Sequence, residues 1–129
     1  MNDDYVTYKQ ARRLKELGFD WRCINYYDGT NKHTIYTDIE YRNFNNSANY
    51  LSAPSLALAQ KWLREKGFEV CACSDYEAEL PNGKWMAFYK EINQPLYATN
   101  FLEETYDSYE KALSNGITKM LELISNGKV

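Results

Sequence analysis

One unit occurs twice in this chain: a basic amphipathic helix that halts at Gly-Phe and passes directly into a strand. Residues 11–19 read ARRLKELGF ahead of WRCINYY, and residues 59–68 read AQKWLREKGF ahead of EVCACSDY. In both copies glycine stands where a helix needs a left-handed residue to close its last carbonyls. The phenylalanine after it can fold back on the final turn. Gly18 and Gly67 are therefore expected at positive φ. The repeat contains no nucleophile, ligand set or phosphate loop, so it constrains architecture and leaves the reaction or partner open.

Length and charge exclude whole classes of function. The 129 residues fit one globular domain, 1–129, made of the two helix-GlyPhe-strand units and a C-terminal helix, with no need of disulfide or metal staples. A formal charge of -3 is too small and too mixed in sign for a general nucleic-acid binder or a strong DNA mimic. The opening MNDDYVTYKQ has acids where a secretory signal has a basic start, and no stretch approaches the roughly 18 apolar residues of a membrane span. A soluble, cytoplasmic protein without a membrane partner is the expectation.

The cysteines number three, which with no export signal argues for reduced thiols. Cys23, Cys71, Cys73 and His33, the single histidine, would make a three-Cys, one-His zinc set. Against it, C-x-C lacks the C-x2-C spacing by which one turn supplies two ligands, and free cysteine packs as a small buried hydrophobe. The reading is core packing, with no metal and no cofactor.

Along the chain, Val6, Ala11, Leu14 and Leu17 recur at near-helical spacing and predict a helix from near Tyr5 to Leu17. Strands follow over 21–27 and about 34–39, joined by the turn-forming DGTNKH. Segment 40–53, EYRNFNNSANYLSA, breaks all periodicity. Its asparagines favour turns and Tyr41, Phe44, Tyr50 and Leu51 supply anchors, so it reads as an ordered surface loop. Long loops inside compact domains are where binding is often located. Arg42, Asn45, Asn46 and Tyr50 are accordingly the candidate partner-binding residues, set against a plain packed loop.

A second helix is expected to open at Ser52-Ala53-Pro54, with proline in the first turn. Leu56, Leu58, Ala59, Trp62 and Leu63 form its apolar face. The next strand alternates from Phe68 to about Leu80, turns at Pro81-Asn82-Gly83 and returns over 84–92, with a short fifth strand over 96–100. Asp107 and Glu110 resemble a capping box before the last helix, whose apolar positions run from Tyr109 to Ile124. Gly116 lies on that apolar face and signals a close approach to the sheet. The predicted fold is α+β, order α-β-β-α-β-β-(β)-α. It is an antiparallel sheet of four or five strands with three helices mainly on one face.

The segment SAPSLALAQKWLREKGFEV with the YDSYEKAL start of the last helix resembles a family of small uncharacterised proteins encoded by phages and prophage-like elements of gut Bacteroidetes. The likeness covers about the last two thirds of the chain and implies a bacterial cytoplasm during phage infection; it brings no activity, cofactor or site residue. A second likeness is to the double-stranded RNA-binding domain, whose element order, α-β-β-β-α, residues 54–126 repeat. That module grips phosphate with a basic start to its last helix, whereas Glu103, Glu104, Asp107 and Glu110 stand there in this chain, so RNA binding is the weaker alternative.

Twelve tyrosines and three tryptophans remain. Aromatic residues on a sheet face left open by the helices would form a patch suited to self-association or to a protein partner. Trp85 and Tyr89 are the candidates for that face, a one-residue shift of the pleat deciding whether they point outward. Catalysis has less support: His33 has no serine or cysteine at motif spacing, and Asp75, Glu77 and Glu79 alternate as a solvated strand face does. A small enzyme with an unrecognised site stays as an alternative. The leading reading is a non-catalytic protein-interaction module, with nucleic acid unlikely as partner.

Overall fold

Thr7 and Gln10 start the first helix together. The Thr7 hydroxyl accepts the Gln10 amide N–H at 3.1 Å, and the Gln10 side-chain oxygen accepts the Thr7 amide at 2.8 Å, a reciprocal capping box. In the computed structural model, which describes residues 2–74 and 84–128, helix α1 accordingly spans Tyr8–Glu16. It begins later than its apolar spacing suggests because Tyr5 and Val6 are extended: Tyr5 bridges to Ser55, and the Val6 amide donates to the Pro54 carbonyl at 3.1 Å.

At its other end, α1 stops as the repeat predicts. Gly18 has φ +94°, its amide donates to the Lys15 carbonyl, and the Phe19 amide reaches the Leu14 carbonyl at 2.9 Å, the paired bonds of a Schellman ending. Gly67 ends the second helix with φ +97°. A Cβ at Gly67 would meet nothing within 4 Å, so Gly67→Ala isolates the backbone penalty. It should cost about 1 kcal/mol or more, read as a lower urea midpoint; an unchanged midpoint would contradict this helix ending.

The chain divides into two compact units, Met1–Leu58 and Ala59–Val129. In the first, strands β1 (Cys23–Asp28), β2 (Asn31–Arg42) and β3 (Tyr50–Ser52) form an antiparallel sheet in the order β2-β1-β3. Cys23, Asn25 and Tyr27 alternate as the buried residues of β1, as expected of a sheet covered on one face. The Tyr27 hydroxyl donates to the Val6 carbonyl at 2.8 Å, and its ring meets Tyr8 of α1 edge-on. Val6, Ala11, Leu14 and Phe19 complete this core.

Two expectations are corrected here. The segment over 40–53 is not an aperiodic loop: β2 runs on to Arg42, a 3-10 turn covers Phe44–Asn46, and Tyr50–Ser52 pairs with β1. Nor does Ser52 open the second helix. It lies in β3, fully buried, with the Phe44 amide on its hydroxyl at 3.1 Å. Helix α2 spans Leu56–Glu65 and is started by Ser55, whose hydroxyl accepts the Leu58 amide.

In the second unit, β4 (Phe68–Ser74), β5 (Trp85–Glu91) and β6 (Asn100–Phe101) make an antiparallel meander, β4-β5-β6. The expected Pro81-Asn82-Gly83 turn and strand residues 75–80 lie outside the described residues. Leu96–Ala98 form a 3-10 turn where a strand was expected; beyond it the two residues of β6 pair with β5, and Tyr106 makes an isolated bridge to Trp85. The architecture is α+β as predicted, but its strands form two three-stranded sheets rather than one of four or five. The reason is local: β3 occupies the free edge of β1, and β6 that of β5.

Helix α3 (Tyr109–Ser125) is capped by Ser108, whose hydroxyl accepts the Lys111 amide. Asp107, expected to cap, instead pairs with the Lys111 ammonium at 3.1 Å. The helix seats on β4 and β5 through Gly116, where an added Cβ would lie 2.8 Å from a Val70 methyl and 3.3 Å from the Ala87 Cβ. The predicted close approach is present.

Candidate functional site

A bulge in β2 builds the site. From Cys23 to Asn25 β1 advances two residues while its partner advances five, from Thr37 to Arg42. The surplus residues bow out of the ladder, and bulges of this kind re-aim side chains at the edge of a sheet. Ile39 is consequently 95% exposed and Tyr41 67% exposed. Asp38 braces the bow: its carboxylate accepts the Ile39 amide at 2.6 Å and meets the Arg42 guanidinium at 2.7 Å. The guanidinium also lies over the Phe44 ring, 5.0 Å from its centroid, a favourable cation-π placement.

Phe44 is the floor. It is buried, stacks on Tyr26 at 4.6 Å, and Tyr26 in turn meets Tyr36 at 5.6 Å and Tyr50 edge-on at 5.0 Å. Lys15 of α1 ties the far rim, its ammonium donating to the carbonyls of Ser47 at 2.7 Å and Tyr50 at 3.0 Å. Between the bowed strand and the 3-10 turn lies an open recess of about 650 Å³, lined by Arg22, Tyr41, Arg42 and Phe44 and by Asn43, Asn46, Ser47 and Tyr50. Among the described residues, no cysteine or carboxylate lines it.

Its polar rim is rich in donors. The Asn43 side-chain oxygen accepts the Asn45 amide at 3.0 Å, the Asn46 oxygen accepts from the Asn43 side chain at 3.3 Å, and the Ser47 hydroxyl oxygen accepts the Asn49 amide at 3.1 Å. The Asn46 N–H groups, the Ser47 O–H and the guanidinium of exposed Arg22 are left facing solvent or ligand.

Of the four residues singled out in this segment, Arg42, Asn46 and Tyr50 line the recess. Asn45 does not. Its side chain clamps the backbone, donating to the Phe19 carbonyl at 2.8 Å and accepting the Ser52 amide at 2.9 Å. Sequence reasoning missed Arg22, which stands just ahead of β1, and took Tyr41 as an anchor rather than a contact, because the register shift that leaves Tyr41 exposed has no local signature.

Trp85 and Tyr89 fall elsewhere. Ala87 faces Gly116 of α3, so the residues two positions either side share that face. Trp85 meets Tyr109 of α3 edge-on at 5.6 Å, and Tyr89 lines a second recess with Met120 and Leu123 of the same helix. Both rings are half-buried on the helix side. The opposite face carries Cys71, Cys73, Met86 and Phe88.

Two of the thiols, Cys23 and Cys71, are held in their protonated form. Cys23 is buried and donates to the Asn25 carbonyl at 3.3 Å, and burial pushes its pKa up. Burial and the neighbouring Glu69 carboxylate push Cys71 up as well. A thiol in such surroundings is a poor nucleophile. Among the described residues, no three His, Cys, Asp or Glu side chains gather as a metal site would require. No described helix is long and apolar enough to cross a membrane.

No family model, curated protein or solved structure matches the chain.

Proposed function

We propose that this chain is a non-catalytic protein-interaction module that takes its partner on the recess beside the β2 bulge, in the phage-associated setting its sequence resemblance implies. One observation carries the reading: Arg42, Asn46 and Tyr50, drawn from a strand, a 3-10 turn and a second strand, converge with Arg22 and the exposed Tyr41 on a single opening. Tyrosine and arginine are the residues enriched at binding hot spots, and a rigid aromatic floor lowers the entropy lost on docking. Ile39 adds an exposed apolar contact at the lip.

Self-association through Trp85 and Tyr89 loses its motive with both rings turned to α3, so any second copy would also be expected at the recess. The nucleic-acid alternative draws support from the element order α2-β4-β5-β6-α3, which is that of the double-stranded RNA-binding domain. The carboxylates of Glu103, Glu104, Asp107 and Glu110 before and within the first turn of α3 count against phosphate there.

Photo-crosslinking tests the reading. With p-benzoylphenylalanine in place of Tyr41, lysate from phage-infected host should yield a discrete adduct, which a second copy would give as a dimer band. The same label in place of exposed Glu65 should yield none. Equal adducts from both positions would show unspecific adhesion and overturn the assignment of the recess.

A further inference from the structure

We infer that the recess is selective for a carboxylate-bearing segment of a partner protein, a short Asp- or Glu-containing stretch with an apolar side chain beside it; this rests on the interaction reading above. The lining decides the sign. The side-chain oxygens of Asn43, Asn46 and Ser47 already accept hydrogen bonds within the turn, whereas the Asn46 N–H groups, the Ser47 O–H and the Arg22 guanidinium have no acceptor among the described residues. Donors without acceptors favour an anion, and guanidinium groups bind carboxylate in a geometry that supplies two parallel bonds.

Charge points the same way. Arg22 and Arg42 line the recess and the Lys15 ammonium lies behind its rim, whereas the carboxylates of the bowed segment are Asp38, which is engaged with Arg42, and exposed Glu40, neither of them in the lining. A local positive field in a chain of net charge -3 steers short anionic segments and, over more than a Debye length, repels long polyanions. The apolar part of the ligand is set by Tyr41 and Ile39, which are exposed next to the cations. A carboxylate on Arg22 and Asn46 then leaves a neighbouring apolar side chain over the Tyr41 ring.

The test is an NMR titration of the full chain with three probes: the capped peptide Gly-Ser-Glu-Glu-Phe-Glu-Glu-Ser-Gly, its counterpart with glutamine for every glutamate, and an oligothymidylate. The glutamate peptide should give saturable shifts at the amides over 41–47, weakening as NaCl rises from about 50 to about 300 mM. The glutamine peptide should bind about tenfold or more weaker, as should the glutamate peptide to Arg22→Gln/Arg42→Gln. Both arginines are exposed, so the variant is expected to fold. Equal binding of the two peptides, no shifts over 41–47, or tighter binding of oligothymidylate would each overturn the inference. An adduct at Tyr41 that survives Arg22→Gln/Arg42→Gln would remove the carboxylate preference and keep the interaction reading, whereas absence of any adduct would remove both.

Discussion

Phe19→Ala should destabilise the first unit by about 3–5 kcal/mol, the range for removing a buried aromatic ring. Phe19 is 1% exposed and is the largest of the fully buried side chains among the described residues. Its backbone is tied on both sides: the amide donates to the Leu14 carbonyl at 2.9 Å and the carbonyl accepts the Asn45 side chain at 2.8 Å. A site held in this way cannot collapse into the cavity, so the full cavity term is retained. The repeat supplies an internal control. Phe68 follows Gly67 as Phe19 follows Gly18, but it is only half-buried. Phe68→Ala should therefore cost less, about 1–3 kcal/mol. Urea titration of the two variants measures the difference, and an equal loss would show that burial does not distinguish the copies. Because Asn45 anchors the 3-10 turn to Phe19, the variant should also broaden the amide signals over 43–47.

The parts of the fold legible in the sequence are those governed by short-range rules. Gly18 and Gly67 were readable because chirality alone makes the left-handed region costly for other residues. Helix α3 was readable because its apolar period runs unbroken over several turns. The segment over 40–53 was not, because the bulge between Thr37 and Arg42 destroys the period-two alternation that identifies a strand. The strand beyond the turn has only three residues. Ser52 reads as a helix opener, yet its hydroxyl accepts the Phe44 amide inside the core, a contact eight positions away that no local pattern reports.

The candidate site shows the same limit at finer scale. Asn45 and Asn46 are chemically identical neighbours, but the 3-10 turn sends the first into the backbone clamp and the second to the recess rim. Composition marked the segment and conformation chose the residue. The face of β5 was closer to legible. Ala87 is its small residue, and the expected close approach of Gly116 required something small opposite; pairing the two would have turned Trp85 and Tyr89 toward the helix.

That close approach gives the sharpest energetic test, because two principles oppose each other at Gly116. In a helix interior, glycine to alanine gains about 1 kcal/mol from propensity. Here the new Cβ would stand 2.8 Å from a Val70 methyl and 3.3 Å from the Ala87 Cβ. Val70 is 1% exposed, and a β-branched side chain in a strand has few rotamers to retreat into. Overpacking of this kind costs about 1–3 kcal/mol, so Gly116→Ala should destabilise the second unit despite the better helix. Val70→Ala removes the obstructing methyls at its own cost, about 1–2 kcal/mol. In that background Gly116→Ala should cost less than it does alone, since the Val70 methyls no longer stand in the way and only the 3.3 Å approach to the Ala87 Cβ still opposes the propensity gain. Residues in contact typically couple by about 0.5–3 kcal/mol, and the double-mutant cycle measured by urea denaturation should fall in that range with the rescuing sign. A Gly116→Ala that stabilises on its own, or a cycle with no coupling, would mean that α3 does not seat on β4 and β5 at this glycine.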